Sequence, residues 1–286
     1  MIAYVSEIMK RELYTIDAYD GLNKAIRIME EKELDSLPVL KDGKLIGILT
    51  SRDMYKAHPN RIAADAMTKS VITVSPHTSL WEARLLFEKY RIKELLIVDD
   101  GKLMGYITDI SVYAELGKHM DPLTGLYRTD YIYYNGIDLI EKGMEISLIF
   151  IDLDKFGQID KDYGHAEGNV ILKELGKLLK SHTYNDTFLC RFGGDEFIAL
   201  TSYKLKKCKL LAEILLKAIS THNFPNGIKI TASAGIAGGR RYDSRPCNPK
   251  ETVSDLINLA SLASTKAKRE KVKIVVADGF CSVETA

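Results

Sequence analysis

The chain repeats itself near its start. Residues 8 to 55 align with residues 66 to 113 at a constant offset of 58 without a gap, and 13 of the 48 paired positions are identical. Met9/Met67, Thr15/Thr73, Leu22/Leu80, Ala25/Ala83, Gly47/Gly105, Thr50/Thr108 and Tyr55/Tyr113 are among the identities. Such repetition narrows the choice of fold. Each copy must be one small supersecondary unit, and units of this size bury enough apolar surface only when two pack together. A short strand ("LYTI", "VITV") precedes an amphipathic helix ("LNKAIRIMEEKEL", "LWEARLLFEKYRI") in both copies. A second strand ("LPVL", "LLIV"), the turn "DGKL", a third strand ("LIGILT", "LMGYIT") and another helix start follow. The turn glycine suits positive φ.

Composition bounds the rest. With 286 residues the chain can form two domains, each with its own core. The formal net charge is +1, so no overall field favours nucleic acid or an anionic membrane as a partner. Cys190, Cys208, Cys247 and Cys281 are scattered without a C-x-x-C pair, which predicts reduced thiols rather than a metal framework. No apolar run reaches the roughly 18 to 20 residues of a membrane span, and "MIAYVSEIMK" lacks a signal-peptide core. A cytoplasmic location is the expectation.

The repeat layout resembles the CBS-domain pair, or Bateman module, over residues 1–117, with copies at about 5–57 and 63–116 and a βαββα order in each. The resemblance implies an adenine nucleotide (AMP, ATP or S-adenosylmethionine) in a cleft between the copies. Its G-h-x-[ST]-x-x-D signature is matched by "GILTSRD", which makes Thr50 a phosphate ligand and Asp53 a ribose ligand. The motif opens a helix, whose free N–H groups attract phosphate; capping that helix would equally account for both residues. In the second copy, "GYITDIS", Thr108 persists but Ser111 replaces the acid, so at most one good site per chain is expected.

Residues 110–120 read as a continuous helix, and Pro122 after Asp121 as the start of another running to about 142. Beyond it, strands and helices alternate around one hairpin, which predicts an α/β (α+β) domain with a mixed sheet over residues 118–286. The segment 240–250 reads as a polar loop.

Two segments of this domain concentrate acids. "IFIDLDKF" is an apolar strand ending in Asp152 and Asp154, which alternation places on one face. "RFGGDEF" places Asp195 and Glu196 at a hairpin tip behind Gly193 and Gly194. Carboxylates gathered this way repel one another unless a cation lies among them. Mg²⁺ prefers such oxygen donors and keeps substrate phosphates in its remaining shell. Glycines without Cβ atoms let a base or phosphate approach the backbone.

These residues resemble the GGDEF domain of diguanylate cyclases, from about Asp121 to Ala277, through "DPLTGL", "FIDLDKF", "DYGHAEGN", "GGDEF", "ITASAGIA" and "ASLASTKAKRE". The resemblance implies a palm-like fold with flanking helices. It implies two facing domains of a homodimer that condense two GTP to cyclic di-GMP and pyrophosphate with Mg²⁺, or Mn²⁺ in its place. Asp152, Asp195 and Glu196 would be catalytic. The same three, with the Leu153 carbonyl, would hold metal. Gly193, Gly194, Phe156, Asp160, Asn169 and Lys268 would bind substrate.

Several positions depart from the family pattern. The base-recognition amide and carboxylate are exchanged at Asp160 and Asn169, which relaxes purine selectivity and admits cyclic GMP-AMP as a product. Gly157 replaces a lysine and Val272 a phosphate-binding arginine, although Lys271 and Lys273 flank it. The Arg-x-x-Asp of an inhibitory product site is replaced by Tyr184 and Thr187. The alternatives are a degenerate domain that binds GTP without turnover and a CBS-driven dimer scaffold.

Overall fold

The repeated sequence gives a repeated backbone. The computed structural model describes residues 4–58, 60–184, 186–239 and 248–277, so Cys247, Cys281 and most of the 240–250 loop lie outside it. The chain divides into two units between Gly117 and Lys118.

In the first unit each copy forms a three-stranded sheet. Strands Ile16–Asp17, Ser36–Lys41 and Lys44–Thr50 make the first sheet; Thr73–Val74, Glu94–Asp99 and Lys102–Thr108 make the second. In both, the short strand pairs parallel and the hairpin antiparallel. Helices Leu22–Lys32 and Leu80–Tyr90 end at Glu33 and Arg91, which share the left-handed conformation. The hairpin turns Asp42–Gly43 and Asp100–Gly101 take positive φ at both residues, the geometry that a twisted two-residue turn needs.

The copies also interlock. The leading segment of each pairs with the hairpin of the other, through Ile48–Thr68 and Lys10–Tyr106 bridges. Gly47 and Gly105 permit this. A Cβ on Gly47 would lie 2.4 Å from Met67 Sδ, and one on Gly105 would lie 2.5 Å from the Lys10 carbonyl oxygen. Ser36 Oγ donates to the Glu94 carboxylate. These two positions correspond at the repeat offset, so the bond lies where the copies meet.

The second unit is a five-stranded mixed sheet, ordered Ile274–Val276, Ala232–Gly238, Ser147–Leu153, Glu196–Thr201, Thr187–Gly193. Only the first pair is parallel. Alternation along the central strand sends Ile149, Ile151 and Leu153 to one core, with helices His165–Ser181 and Leu205–Thr221. It sends Leu148 and Phe150 to the other, with helices Thr129–Glu141 and Pro249–Glu270. Asp152 continues this second face.

Two expectations change. The helix before the unit boundary is Asp109–Gly117 and stops at its glycine, the poorest non-proline helix former. The next helix begins at Thr129, not at Pro122. Asp121 instead caps a turn: Thr124 N–H donates to its Oδ1 at 2.8 Å and Thr124 Oγ1 at 2.7 Å. Gly125 closes the turn at φ +68°.

Cys190 and Cys208 are buried free thiols. Burial raises both, Cys208 to about 11, so neither is a reactive thiolate at neutral pH.

The closest packing lies under the helix Pro249–Glu270. A Cβ on Gly235 would sit 1.9 Å from the Ala260 carbonyl oxygen and 2.3 Å from Ser264 N. Gly235→Ala should therefore cost about 1–3 kcal/mol in urea unfolding. Gly157→Ala, where nothing lies within 4 Å of the added carbon, should be neutral or stabilising by less than about 1 kcal/mol.

Candidate active site and nucleotide cleft

Register brings the acids together. The signature hairpin pairs Glu196 directly with Asp152 on the central strand. The backbone of Leu153 donates weakly to the Asp195 carbonyl at 3.4 Å. Because Gly235 admits the helix Pro249–Glu270 so closely, the last turn of that helix reaches the same strand end. Lys268 Nζ lies 2.5 Å from Asp152 Oδ1 and donates to the Leu153 carbonyl at 2.7 Å. A cation thus already sits between two of the oxygens that the sequence assigns to a metal.

The electrostatics follow. Burial raises Asp152 above the ordinary carboxylate value, aided by Asp195 and Asp154 and opposed by the Lys268 ammonium. Burial also raises Glu196, with the charges of Asp152 and Asp195 adding to it. Among the described residues no three carboxylate, imidazole or thiolate side chains lie close enough to hold a metal by themselves. The donor set fits a hard ion that completes its shell with phosphate and water.

Asp154 has other work. Its carboxylate accepts from Thr231 Oγ1 at 2.6 Å and Ser233 Oγ at 2.8 Å, and its N–H donates to the Thr231 carbonyl at 2.8 Å. It ties the strand end to the neighbouring strand.

Gly194 takes φ +37° with open space around its Cα, and the only atom near a Cβ on Gly193 is Glu196 Oε2 at 3.8 Å. The turn is held by Arg191, which the motif reading passed over. Its Nε and Nη2 donate to the Gly194 carbonyl at 2.9 and 2.6 Å, and its Nη1 to Asp121 Oδ1 at 3.0 Å. Its place two residues before the glycines was the available signal.

The other predicted contacts divide. Phe156 is only 6% exposed and its side chain belongs to the core. Asp160 is half-buried, with His165 Nδ1 at 3.1 Å from its Oδ2. A Cβ on Gly168 would strike Asp160 Oδ1 at 2.1 Å, so Asp160 packs against the helix that carries exposed Asn169. Tyr184 and Thr187 line a cavity of about 250 Å³ with Tyr127 and Tyr131.

The family model for the GGDEF domain of diguanylate cyclases matches residues 118–273, more than half of the chain. The chain belongs to that family. The CBS-domain model matches residues 5–60 and 63–118, so this is a CBS-containing GGDEF protein with the mixed α+β architecture of both domains. An inosine-5′-monophosphate dehydrogenase of Korarchaeum cryptofilum is 37% identical over 105 residues, 36% of this chain and 22% of the dehydrogenase. An uncharacterized membrane protein of Staphylococcus aureus strain USA300 is 24% identical over 226 residues, 72% of this chain and 63% of the relative. The chain therefore spans about a fifth and under two thirds of these relatives. Pseudomonas aeruginosa diguanylate cyclase SiaD, solved with its activator SiaC, superposes with TM-score 0.52 at 25% identity. That match covers 59% of this chain and 65% of SiaD. The coiled-coil and GGDEF region of Caulobacter crescentus DgcB, at TM-score 0.50 and 20% identity over 58% of this chain and 88% of that one, shares the fold. No helix among the described residues is long and apolar enough to cross a membrane.

In the CBS unit of this GGDEF protein a cavity of about 580 Å³ opens between the copies. Thr50, Ser51, Arg52, Thr68 and Arg91 supply polar lining, and Ile48, Ile72 and Ile92 apolar lining. Thr50 caps the helix Ser51–Lys56 in a reciprocal box with Asp53. Asp53 is not in the lining; its carboxylate accepts from Thr50 Oγ1 at 2.7 Å and from Thr68 Oγ1 at 3.3 Å. The equivalent cleft on the other side shrinks to about 20 Å³. Tyr14 and Tyr106 stand there where Ile72 and Ile48 line the open cleft, and they fill it. Tyr14 is fixed by a 2.6 Å bond to Glu12, and Tyr106 by Lys10 over its ring. Thr108 is not in that lining; it pairs with Ser111 at the start of its own helix.

The Asp121–Arg191 pair has a readable pH signature. Burial raises the Asp121 carboxyl, but hydrogen bonds from Thr124 and the Arg191 charge outweigh it and hold the group below its ordinary 3.8. A lowered folded value gives stability that is complete above the unfolded value and lost as pH falls through the folded one. Asp121→Asn should be less stable than the parent at pH 6, with the gap closing as pH falls below the carboxyl's ordinary 3.8 and through its lowered folded value. Denaturation midpoints across pH measure this.

Proposed function

We propose that the protein is a diguanylate cyclase regulated by an adenine nucleotide, with residues 118–286 catalysing and residues 1–117 sensing. The observation that carries this reading is the cation seat formed by Asp152 and the Leu153 carbonyl, with Glu196 paired beside it. A domain that only held nucleotide would have no use for Asp152 and Glu196 raised by burial and by the neighbouring acidic charges. Mg²⁺ or Mn²⁺, when bound, would neutralise charge developing on the transferred phosphoryl group.

The remaining chemistry belongs to the chain. The Gly193–Gly194 turn, braced by Arg191, gives one GTP an unobstructed backbone surface. Lys268, which reaches Asp152 and the Leu153 carbonyl at this strand end, would hold the triphosphate if a metal ion were held by Asp152 and that carbonyl. Glu196, raised by burial, is suited to accept the proton of a ribose 3′-hydroxyl. That oxygen attacks the α-phosphate of the GTP on a facing copy, and pyrophosphate leaves. The reaction performed twice closes cyclic di-GMP, so the functional unit is a homodimer. Asp160 can accept from guanine N1–H and N2–H, while the amide of Asn169 both donates and accepts. This exchange tolerates adenine and extends the products to cyclic GMP-AMP. The degenerate reading, binding without turnover, rests on Gly157 and on Val272, 42% exposed where the family carries arginine.

Protein incubated with Mg²⁺ and GTP, ATP or both should yield cyclic di-GMP and a mixed product by mass spectrometry. Asp195→Ala should lower the yield about a hundredfold or more. Asn169→Asp should sharpen the preference for GTP over ATP about tenfold. No cyclic dinucleotide from any mixture would favour the degenerate reading.

In the sensing unit the open cleft suits an adenosine nucleotide, with its hydroxyls and Arg52 toward phosphate and its isoleucines against the base. Calorimetry with AMP, ATP and S-adenosylmethionine should give one site per chain for the ligand that binds. Two equal sites would contradict closure of the second cleft by Tyr14 and Tyr106.

A further inference from the structure

The chain enters its second unit at Lys118 and at once closes a small hairpin. Arg128 N–H donates to the His119 carbonyl at 2.9 Å and Asp121 N–H to the Leu126 carbonyl at 2.7 Å. Met120 and Tyr127 bridge antiparallel between them, and Arg128 Nε reaches the Met120 carbonyl at 3.4 Å. Side chains tie the mouth of this hairpin. His119 Nδ1 contacts Asp130 Oδ2, and the two side chains are only 24% and 12% exposed. Asp130 stands in the first turn of the helix Thr129–Glu141, where the helix dipole favours negative charge. Neither residue lies in a sequence motif.

The hairpin is bonded to the residue that fixes the signature turn. Its Tyr127 carbonyl accepts from Arg191 N–H at 2.9 Å, and its Asp121 carboxylate from Arg191 Nη1 at 3.0 Å. Arg191 in turn holds the Gly194 carbonyl through Nε and Nη2. Whatever loosens the hairpin therefore loosens the brace of that turn.

Histidine is the side chain that ordinarily changes charge between about pH 5 and 8. A contact between opposite charges is roughly twice as strong as its neutral counterpart, and salt screens it little when the groups are mostly buried. The other titratable and charged groups around the pair are Lys118 and Arg128 on the same segment, Tyr131 on the helix, and Cys190 with the Asp121–Arg191 pair on the strand side. Asp121 is held below its ordinary value and burial raises the Cys190 thiol, so neither changes charge in that range.

We propose that His119 and Asp130 form a pH-responsive clasp. It holds the hairpin, and through Asp121 and Arg191 the signature turn, firmly when His119 is protonated and loosely when it is neutral. The attraction is present on the acid side of the range and is lost as pH rises through it. The clasp needs no nucleotide, so it stands or falls apart from the cyclase reading.

Amide hydrogen exchange of the full-length protein, resolved by residue with NMR, tests this at about pH 5.5 and about pH 8.5. Rates are expressed as protection relative to an unstructured chain. At the lower pH the amides of Arg128 and Arg191 should be about threefold to tenfold better protected in the parent than in His119→Gln or Asp130→Asn. At the higher pH that gap should close. Thermal melts identify a variant that has lost its fold, and the other variant then carries the comparison. A gap of the same size at both pH values would reduce the pair to a structural contact and overturn the proposal, as would the absence of a gap at either. A pH-dependent gap at Arg128 with none at Arg191 would overturn the link to the signature turn.

Discussion

The contact of the Lys268 ammonium with Asp152 and the Leu153 carbonyl ties together the second half of the molecule. Half-buried carboxylates at a strand end are tolerable only with positive charge among them. Here the helix Pro249–Glu270 delivers that charge. It can do so because Gly235 has no Cβ to keep the helix away from the sheet. Strand alternation sets the other half of the geometry, since the face that carries Leu148 and Phe150 into the core beneath this helix ends at Asp152. A packing constraint in the middle of the sheet thus positions the chemistry at its edge.

The same economy recurs in the turn. Arg191 draws the Gly194 carbonyl and Asp121 together, although Asp121 lies 70 residues before it in sequence. The bidentate hold on a carbonyl and the bond to a carboxylate use the fork geometry that lysine lacks. In the first unit, single residues divide two equivalent clefts into one open and one closed. The two copies share strand pairing and turn geometry, but paired tyrosines occupy the space that paired isoleucines leave.

Much of this was legible in the sequence for identifiable reasons. A gapless repeat at offset 58 leaves no freedom in the order of elements, and both copies fold alike down to the positive-φ turns. The acid pairs stood out because neither burial nor turn geometry requires them. Contacts between segments remote in sequence were less accessible. Nothing in "DPLTGL" announces that Asp121 answers to Arg191, and a proline after an aspartate reads as a helix start when that aspartate in fact caps a turn. Tyr14 and Tyr106 can be aligned with isoleucines, yet only the fold brings the two rings into one cleft. Asp53 fits a ligand motif, and only the fold shows that its carboxylate also accepts from Thr50 and Thr68. His119 and Asp130 carry no motif at all, and their meaning comes from the contact between them.

The account's central claim is that Asp152 and the Leu153 carbonyl form a cation seat which Lys268 fills until a metal arrives. Anomalous diffraction from crystals grown with Mn²⁺ and a non-reactive GTP analogue tests this most directly. The account predicts a manganese peak in contact with Asp152 and the Leu153 carbonyl, and Lys268 moved onto the nucleotide's phosphates. A peak elsewhere in the domain, or Lys268 still bonded to Asp152 beside bound nucleotide, would contradict it.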